Sequence, residues 1–263
     1  MRADEPLRSS LAAESTVFAG RLLTLWWREP MVSIQALVFP TFLLITYKML
    51  VGKSIVRITG TDSLYGLVPM CAVAGAMFGT FAAALTIRHE REHGLLTRLW
   101  MLPVHRASHL TGRLLAEAIR TFGATVLITA VGVALGLRFS GGWLSVIPFL
   151  LMPVLIGSVF AMAVIAVATR SKNSNGLVWL GVPAIGAVFS SSGVPPAELL
   201  PAWMGPLIHL NPMAPIIESM RALATGAPAL WPLLLSLLWV IGLAAILAPL
   251  AMSGYRVAAI SGR

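Results

Sequence analysis

Charge is the scarcest property of this chain. Only 11% of its 263 residues are Asp, Glu, Lys or Arg, against 57% hydrophobic residues and a mean hydropathy of +0.85. Such a composition cannot solvate the surface of a soluble domain, so a soluble fold is excluded and an integral membrane protein is expected. Acidic residues are the rarer sign, 10 against 19 basic ones, leaving a formal charge of +9. The basic residues sit at the ends of apolar runs rather than in a stripe interleaved with aromatics, so topology explains them better and no nucleic-acid partner is expected. Cysteine is nearly absent. Cys71 stands alone inside an apolar run, cannot form an intrachain disulfide, and removes redox chemistry from the design. No block of soluble-domain size interrupts the apolar runs, which leaves no room for an ATPase and predicts a single domain over residues 1–263. Residues 1–30 carry Asp4, Glu5, Glu14 and Glu29 without a continuous apolar core, so they do not read as a cleaved signal peptide. Internal repeats and low-complexity tracts are missing as well.

What is present is a series of stretches long enough to cross the hydrocarbon, near 31–52, 65–87, 114–137, 144–169, 177–190 and 229–252. The fifth is too short alone. A Pro-, Gly- and Ser-rich but still apolar region, 191–228, follows it and predicts broken or re-entrant helices. The expected fold is therefore all-α, with six transmembrane helices and both termini cytoplasmic. Lys and Arg near the predicted ends divide thirteen inside against five outside, with Arg120 left within the third span, which supports that orientation in a cell membrane. Trp26, Trp27, Trp100, Trp143, Trp203 and Trp231 lie near predicted interfaces, where an amphipathic indole is favoured; Trp239 does not.

Ahead of the first span, Phe18, Leu22, Leu25 and Trp26 recur at helical spacing while Glu14, Arg21 and Arg28 point elsewhere. This predicts an amphipathic helix closed by Pro30 and lying along the inner membrane surface. Between the second and third spans, Leu95, Leu99 and Leu102 are spaced i, i+4, i+7, with Arg91 and Arg98 off the stripe and Pro103 as the stop. A short helix of that pattern fits a groove in a soluble partner.

The sharpest enzymatic signal overlaps this loop. His89-Glu90-Arg91-Glu92-His93 matches H-E-x-x-H, which places two imidazoles one turn apart on a zinc beside a glutamate general base. An integral-membrane zinc metalloprotease is thus the alternative reading. Against it stand the charged inner positions, Gly94 immediately after, and the lack of a clear third ligand; Glu117 has Arg113 and Arg120 one turn away, for which an ion pair is the simpler use. Gly52-Lys53-Ser54 imitates a phosphate loop but has Tyr47 where a glycine is required, and no G-x-S-x-G elbow exists. No catalytic residue and no metal site are assigned.

The run from Arg91 to Val104, with an acidic residue and Gly before a leucine-bearing helix that ends at Pro, resembles the cytoplasmic coupling segment of type-2 ATP-binding-cassette exporter permeases. Ser190 to Pro196, Leu200-Pro201-Ala202-Trp203, Asn211-Pro212 and Arg221 resemble the same family's region before the last span. Arg98 to Ser108 is most similar to the daunorubicin-resistance-type permeases of actinobacteria, including those that export complex cell-envelope lipids. The resemblance implies dimerisation with the same or a related permease and drive by a separately encoded ATPase that carries the ATP and Mg, so that this chain needs no cofactor. It also implies that the N-terminal helix (Phe18, Leu22) and the 88–113 loop (Glu92, Gly94, Leu95, Leu96, Leu99, Leu102, Pro103) contact that ATPase. The expected function is outward movement of a hydrophobic or amphipathic compound by alternating access. Glu117 and Arg120 are expected to brace the loop against the bundle, and Asn211, Pro212, Glu218 and Arg221 to hold the re-entrant region or face the substrate. Small-residue pairs Gly75/Gly79 and Gly132/Gly136 let helices approach closely, between chains or within one.

Overall fold

The computed structural model describes residues 10–28, 34–92, 94–95, 98, 101, 105, 107–171, 175–191 and 210–261, and every regular element among them is helical. In order these are α1 (Leu11–Arg28), a π-helical turn (Ile34–Val38), α2 (Phe39–Thr59), α3 (Leu64–Glu92), α4 (Ser108–Ala134), a 3-10 turn (Trp143–Ser145), α5 (Val146–Arg170), α6 (Asn175–Phe189), α7 (Met213–Thr225) and α8 (Leu230–Ser261). Among the described residues, five stretches are long and apolar enough to cross a membrane: Phe39–Ile58, Leu64–Phe81, Ser108–Ala134, Trp143–Arg170 and Leu230–Val257. The sixth apolar helix, Gly176–Phe189, is shorter.

The first span is displaced from its expected place at 31–52. Pro40 fits the first turn of α2, where its missing N–H has no helical partner to lose, so the regular helix starts at Phe39. Gly60 ends it in the left-handed region at φ 68°, donating its N–H to the Val56 carbonyl. Lys53 and Arg57, expected outside the span, consequently ride on the last two turns of α2 with exposed side chains. The turn that follows is pinned by Asp62, whose carboxylate accepts from the Leu64 N–H at 3.0 Å and from Lys48 Nζ at 2.5 Å. Burial raises the Asp62 carboxyl, but the bonds from Lys48 and Leu64 outweigh it and hold the group below its ordinary value.

α3 is the central element. Of its Leu64–Phe81 window 83% is buried, whereas the spanning windows of α2 and α8 are 22% and 11% buried and form the outer surface. Within a bilayer, apolar burial against protein gains little over burial against lipid, so close packing decides which helix occupies the middle. α3 supplies that packing through small residues. A β-carbon on Gly75 would lie 3.0 Å from Pro40 of α2, and one on Gly132 of α4 would lie 2.7 Å from Val68 of α3. Gly79 lies directly beneath the Arg120 side chain of α4. Gly75, Gly79 and Gly132 therefore serve contacts inside this chain, and Gly136, at φ 118°, belongs to the turn after α4. Leu67, Met70 and Met77 of α3, Phe149 and Ile156 of α5, and Ile216 and Met220 of α7 fill the core.

α3 also runs further than the apolar pattern suggests, continuing through Glu92. Its 29 residues span about 44 Å at 1.5 Å each, more than a hydrocarbon core of about 30 Å, so its end projects from the bilayer. Gly94 then breaks the path at φ 65°. α4 starts only at Ser108, which confines the connection to 93–107.

Candidate coupling site

Residues 93–107 link α3 to α4, and ion pairs flank them on both sides. Glu90, in the last turns of α3, is 5% exposed. One oxygen of its carboxylate accepts from Arg113 Nη2 of α4 at 2.5 Å, and the other faces Arg21 Nη2 of α1 at 3.5 Å. Arg113 is 2% exposed and also reaches the Ala83 carbonyl at 3.5 Å. Tyr255 of α8 stands beside its guanidinium. Two turns deeper, Glu117 and Arg120 of α4 pair at 2.5 Å, with Thr80 of α3 within 3.4 Å of both. The Arg120 guanidinium lies 5.9 Å from the Trp26 ring, within cation–π range. Arg113 thus stands between two carboxylates along α4, Glu90 across the helix gap and Glu117 one turn on. Four helices meet at this lattice. Removing one member of a buried pair costs about 3–5 kcal/mol, so the lattice holds α1, α3 and α4 in one arrangement.

α1 lies along α4 rather than apart from the bundle. Its inward stripe is Ser15, Ala19, Leu22 and Trp26, all buried, with Phe18 at the edge, 4.1 Å from the His109 ring. Gly112 permits the approach, since a β-carbon there would lie 2.6 Å from Phe18 Cβ and 2.9 Å from the Ser15 carbonyl oxygen. Ser15 Oγ and Thr111 Oγ1 are 2.6 Å apart. Here the sequence reading needs correction. Glu14 does not point away from the packed face: it is 8% exposed, and its carboxylate accepts from the His105 backbone N–H at 2.8 Å. Glu14 stands off the apolar stripe, and its partner, a main-chain donor, has no signature in the sequence. Phe18 and Leu22, in turn, face α4.

Of the coupling-loop residues, Glu92 closes α3, Gly94 holds the left-handed turn and Leu95 is half-buried. The Arg98 N–H donates to the Gly94 carbonyl at 3.2 Å and the Met101 N–H to the Arg98 carbonyl at 3.3 Å, a helical progression. Leu96, Leu99, Leu102 and Pro103 lie outside the described residues. The same is true of His93, so the H-E-x-x-H geometry is not described. Its Glu90, however, is committed to two guanidinium groups, a poor state for a general base.

Asn211 and Pro212 serve the far end of the molecule. Asn211 donates from Nδ2 to the Ala187 carbonyl of α6 at 2.6 Å and accepts from the Met213 N–H at 3.0 Å, joining α6 to α7, while Pro212 opens α7. Most of 191–228 splits into α7 and the segment 192–209, the latter outside the described residues. Glu218 and Arg221 sit on the exposed face of α7, 3.9 Å apart. One feature carried no sequence signal: Phe39, Phe78, Phe81, Gly181, Val182 and Ile185 surround an apolar cavity of about 420 Å³ between α2, α3 and α6. The six come from three distant segments and only folding collects them.

Residues 15–224 match the family model described as ABC-2 type transporter. The chain is 36% identical over 247 residues to a probable doxorubicin resistance ABC transporter permease protein, DrrC, of Mycobacterium tuberculosis, covering 93% of this chain and 88% of that one. It is 25% identical over 257 residues to a daunorubicin resistance ABC transporter permease protein, DrrB1, of Streptomyces coeruleorubidus, covering 96% and 89%. A putative transport permease, ycf38, of Cyanophora paradoxa is 25% identical over 213 residues, covering 80% and 73%. With an all-helical membrane bundle and a family match over most of its length, the chain belongs to the ABC-2 type transporter permeases.

Proposed function

We propose that this permease moves a hydrophobic or amphipathic compound outward across the cell membrane by alternating access, driven by ATP hydrolysis on a separately encoded ATPase that binds the 93–107 connection. The observation that carries the proposal is the lattice of buried Glu90, Arg113, Glu117 and Arg120, with Arg21 at its exposed edge. Such a lattice is costly to place in an apolar bundle without a role, and it sits where a push on the connection would enter α3 and α4. Phe18 and Leu22 contribute by fixing α1 on α4. Asn211 joins α6 to α7, which Pro212 opens, and Glu218 and Arg221 pair along the outer face of α7. The compound enters an apolar environment such as the Phe39/Phe78/Phe81 cavity, which suits a drug of the kind named for the relatives or a complex envelope lipid. The permease works as a dimer with a second copy or a related chain. ATP and Mg are held by the ATPase, the 191–228 region is extracytoplasmic and partly re-entrant, and both termini are cytoplasmic.

The test is Leu99→Asp. A carboxylate forced into the docking groove of the ATPase costs several kcal/mol in desolvation, so the variant inserts normally but neither retains its ATPase on purification nor exports. Thr97→Gln, off the leucine stripe, behaves as wild type. Equal ATPase capture and export by Leu99→Asp and wild type would refute the proposal.

A further inference from the structure

Glu14 and Arg21 are seven residues apart on α1, so they lie about 10 Å apart along one side of the helix. Each reaches a different flank of the same connection. Arg21 pairs with Glu90 at the end of α3, before residue 93, and Glu14 accepts from the N–H of His105, just before α4 begins. Between them the Ser15 hydroxyl meets Thr111, and Gly112 lets the two backbones touch. A helix that merely rested on the inner membrane surface would have no need of polar bonds to both flanks. From this juxtaposition, and resting on the coupling role proposed above, we propose that α1 is a splint. It fastens the end of α3 to the start of α4, with Glu90 and Arg21 as positioning residues, so that all three move as one body when the ATPase acts.

The lattice supports this in two ways. Glu90 meets guanidinium groups from two other helices, Arg21 of α1 and Arg113 of α4, so its ionised form holds three elements at once. Deeper along α1, Trp26 lies against Arg120, which adds a third point of attachment. A displacement applied to the connection then reaches α3 and α4 together rather than being absorbed by a relative slide of the two.

The experiment uses Ser15→Cys with Thr111→Cys in a Cys71→Ser background, reconstituted with the ATPase in liposomes. The two hydroxyl oxygens are 2.6 Å apart, a contact close enough for a disulfide to replace. Disulfide yield is measured without nucleotide, with ATP, and in the vanadate-trapped state, and hydrolysis is measured with the disulfide closed and reduced. A splint gives equal yields in all three states and unchanged stimulation of hydrolysis when closed. Adding Arg21→Gln lowers the yield in the trapped state by about tenfold, the scale of an ordinary coupling between sites, and Arg21→Lys restores it. A yield that falls in the trapped state with Arg21 intact, or a closed disulfide that abolishes stimulation, shows α1 moving by itself and overturns the proposal. An unchanged yield with Arg21→Gln overturns the part given to Arg21. Failure of the unsubstituted permease to capture the ATPase is a different result: it removes the coupling role itself.

Discussion

Substituting Met for Arg113 leaves the Glu90 carboxylate, 5% exposed, with Arg21 at 3.5 Å as its remaining ionic partner. Breaking a buried pair from one side costs about 3–5 kcal/mol. Because Arg21 stays in place but its side chain is 40% exposed and so screened by solvent, the lower figure of about 3 kcal/mol applies. At about 2–4 °C per kcal/mol for a chain of this size, the midpoint of thermal unfolding falls by about 6–12 °C. The assay is the fraction of detergent-solubilised permease that remains monodisperse after heating, followed by size exclusion. Two comparisons make the number interpretable. Glu90→Leu with Arg113→Met removes both charges, and most of the loss returns, because an apolar pair of similar volume avoids the desolvation cost. Glu218→Gln removes one member of a 3.9 Å pair whose side chains are 50% and 38% exposed, and the midpoint moves by less than about 0.5 kcal/mol equivalent. An Arg113→Met variant as heat-stable as wild type, or a double variant worse than the single, would show that the pair is hydrated and that the lattice does not hold these helices.

Gly112→Ala forces a β-carbon to within 2.6 Å of Phe18 Cβ, so α1 is displaced at a cost of about 1–3 kcal/mol and added protease cuts near α1 faster; Phe18→Ala in the same chain does not relieve it, because alanine keeps that β-carbon and the Ser15 carbonyl oxygen stays at 2.9 Å. Asp62→Asn loosens the turn between α2 and α3. Since the folded Asp62 titrates below its ordinary 3.8, its contribution is complete above that value and is lost as the pH falls through the lower folded one. Wild type and Asp62→Asn therefore converge in stability only in strong acid, and a difference that vanishes already near neutrality would refute the assignment. In a Cys71→Ser background, Arg98→Cys is labelled by a membrane-impermeant maleimide from the cytoplasmic side and Thr61→Cys from the outside, and the opposite pattern would invert the orientation.

The membrane-spanning plan was legible because its cause is local. An apolar run of bilayer length must hydrogen-bond its own backbone, whatever its neighbours do, so α3 to α5 and α8 could be placed from composition alone, α2 could be recognised but not its start beside Pro40, and α6 could be recognised as short. The Glu117/Arg120 pair was legible for the same reason: three residues apart on one helix, they meet wherever that helix goes. The family motif between Arg91 and Val104 likewise lies in one continuous stretch. What the sequence could not state is which charges meet across helices. Glu90 and Arg113 are 23 positions apart and Glu14 and His105 are 91 apart, distances over which no periodicity speaks. The apolar stripe on α1 says only that Glu14 lies off it, whereas its partner is a backbone N–H available only where α4 has not yet begun. Tertiary structure alone decided that α1 lies along α4, because that choice depends on Gly112 having no side chain just where Phe18 and Ser15 arrive.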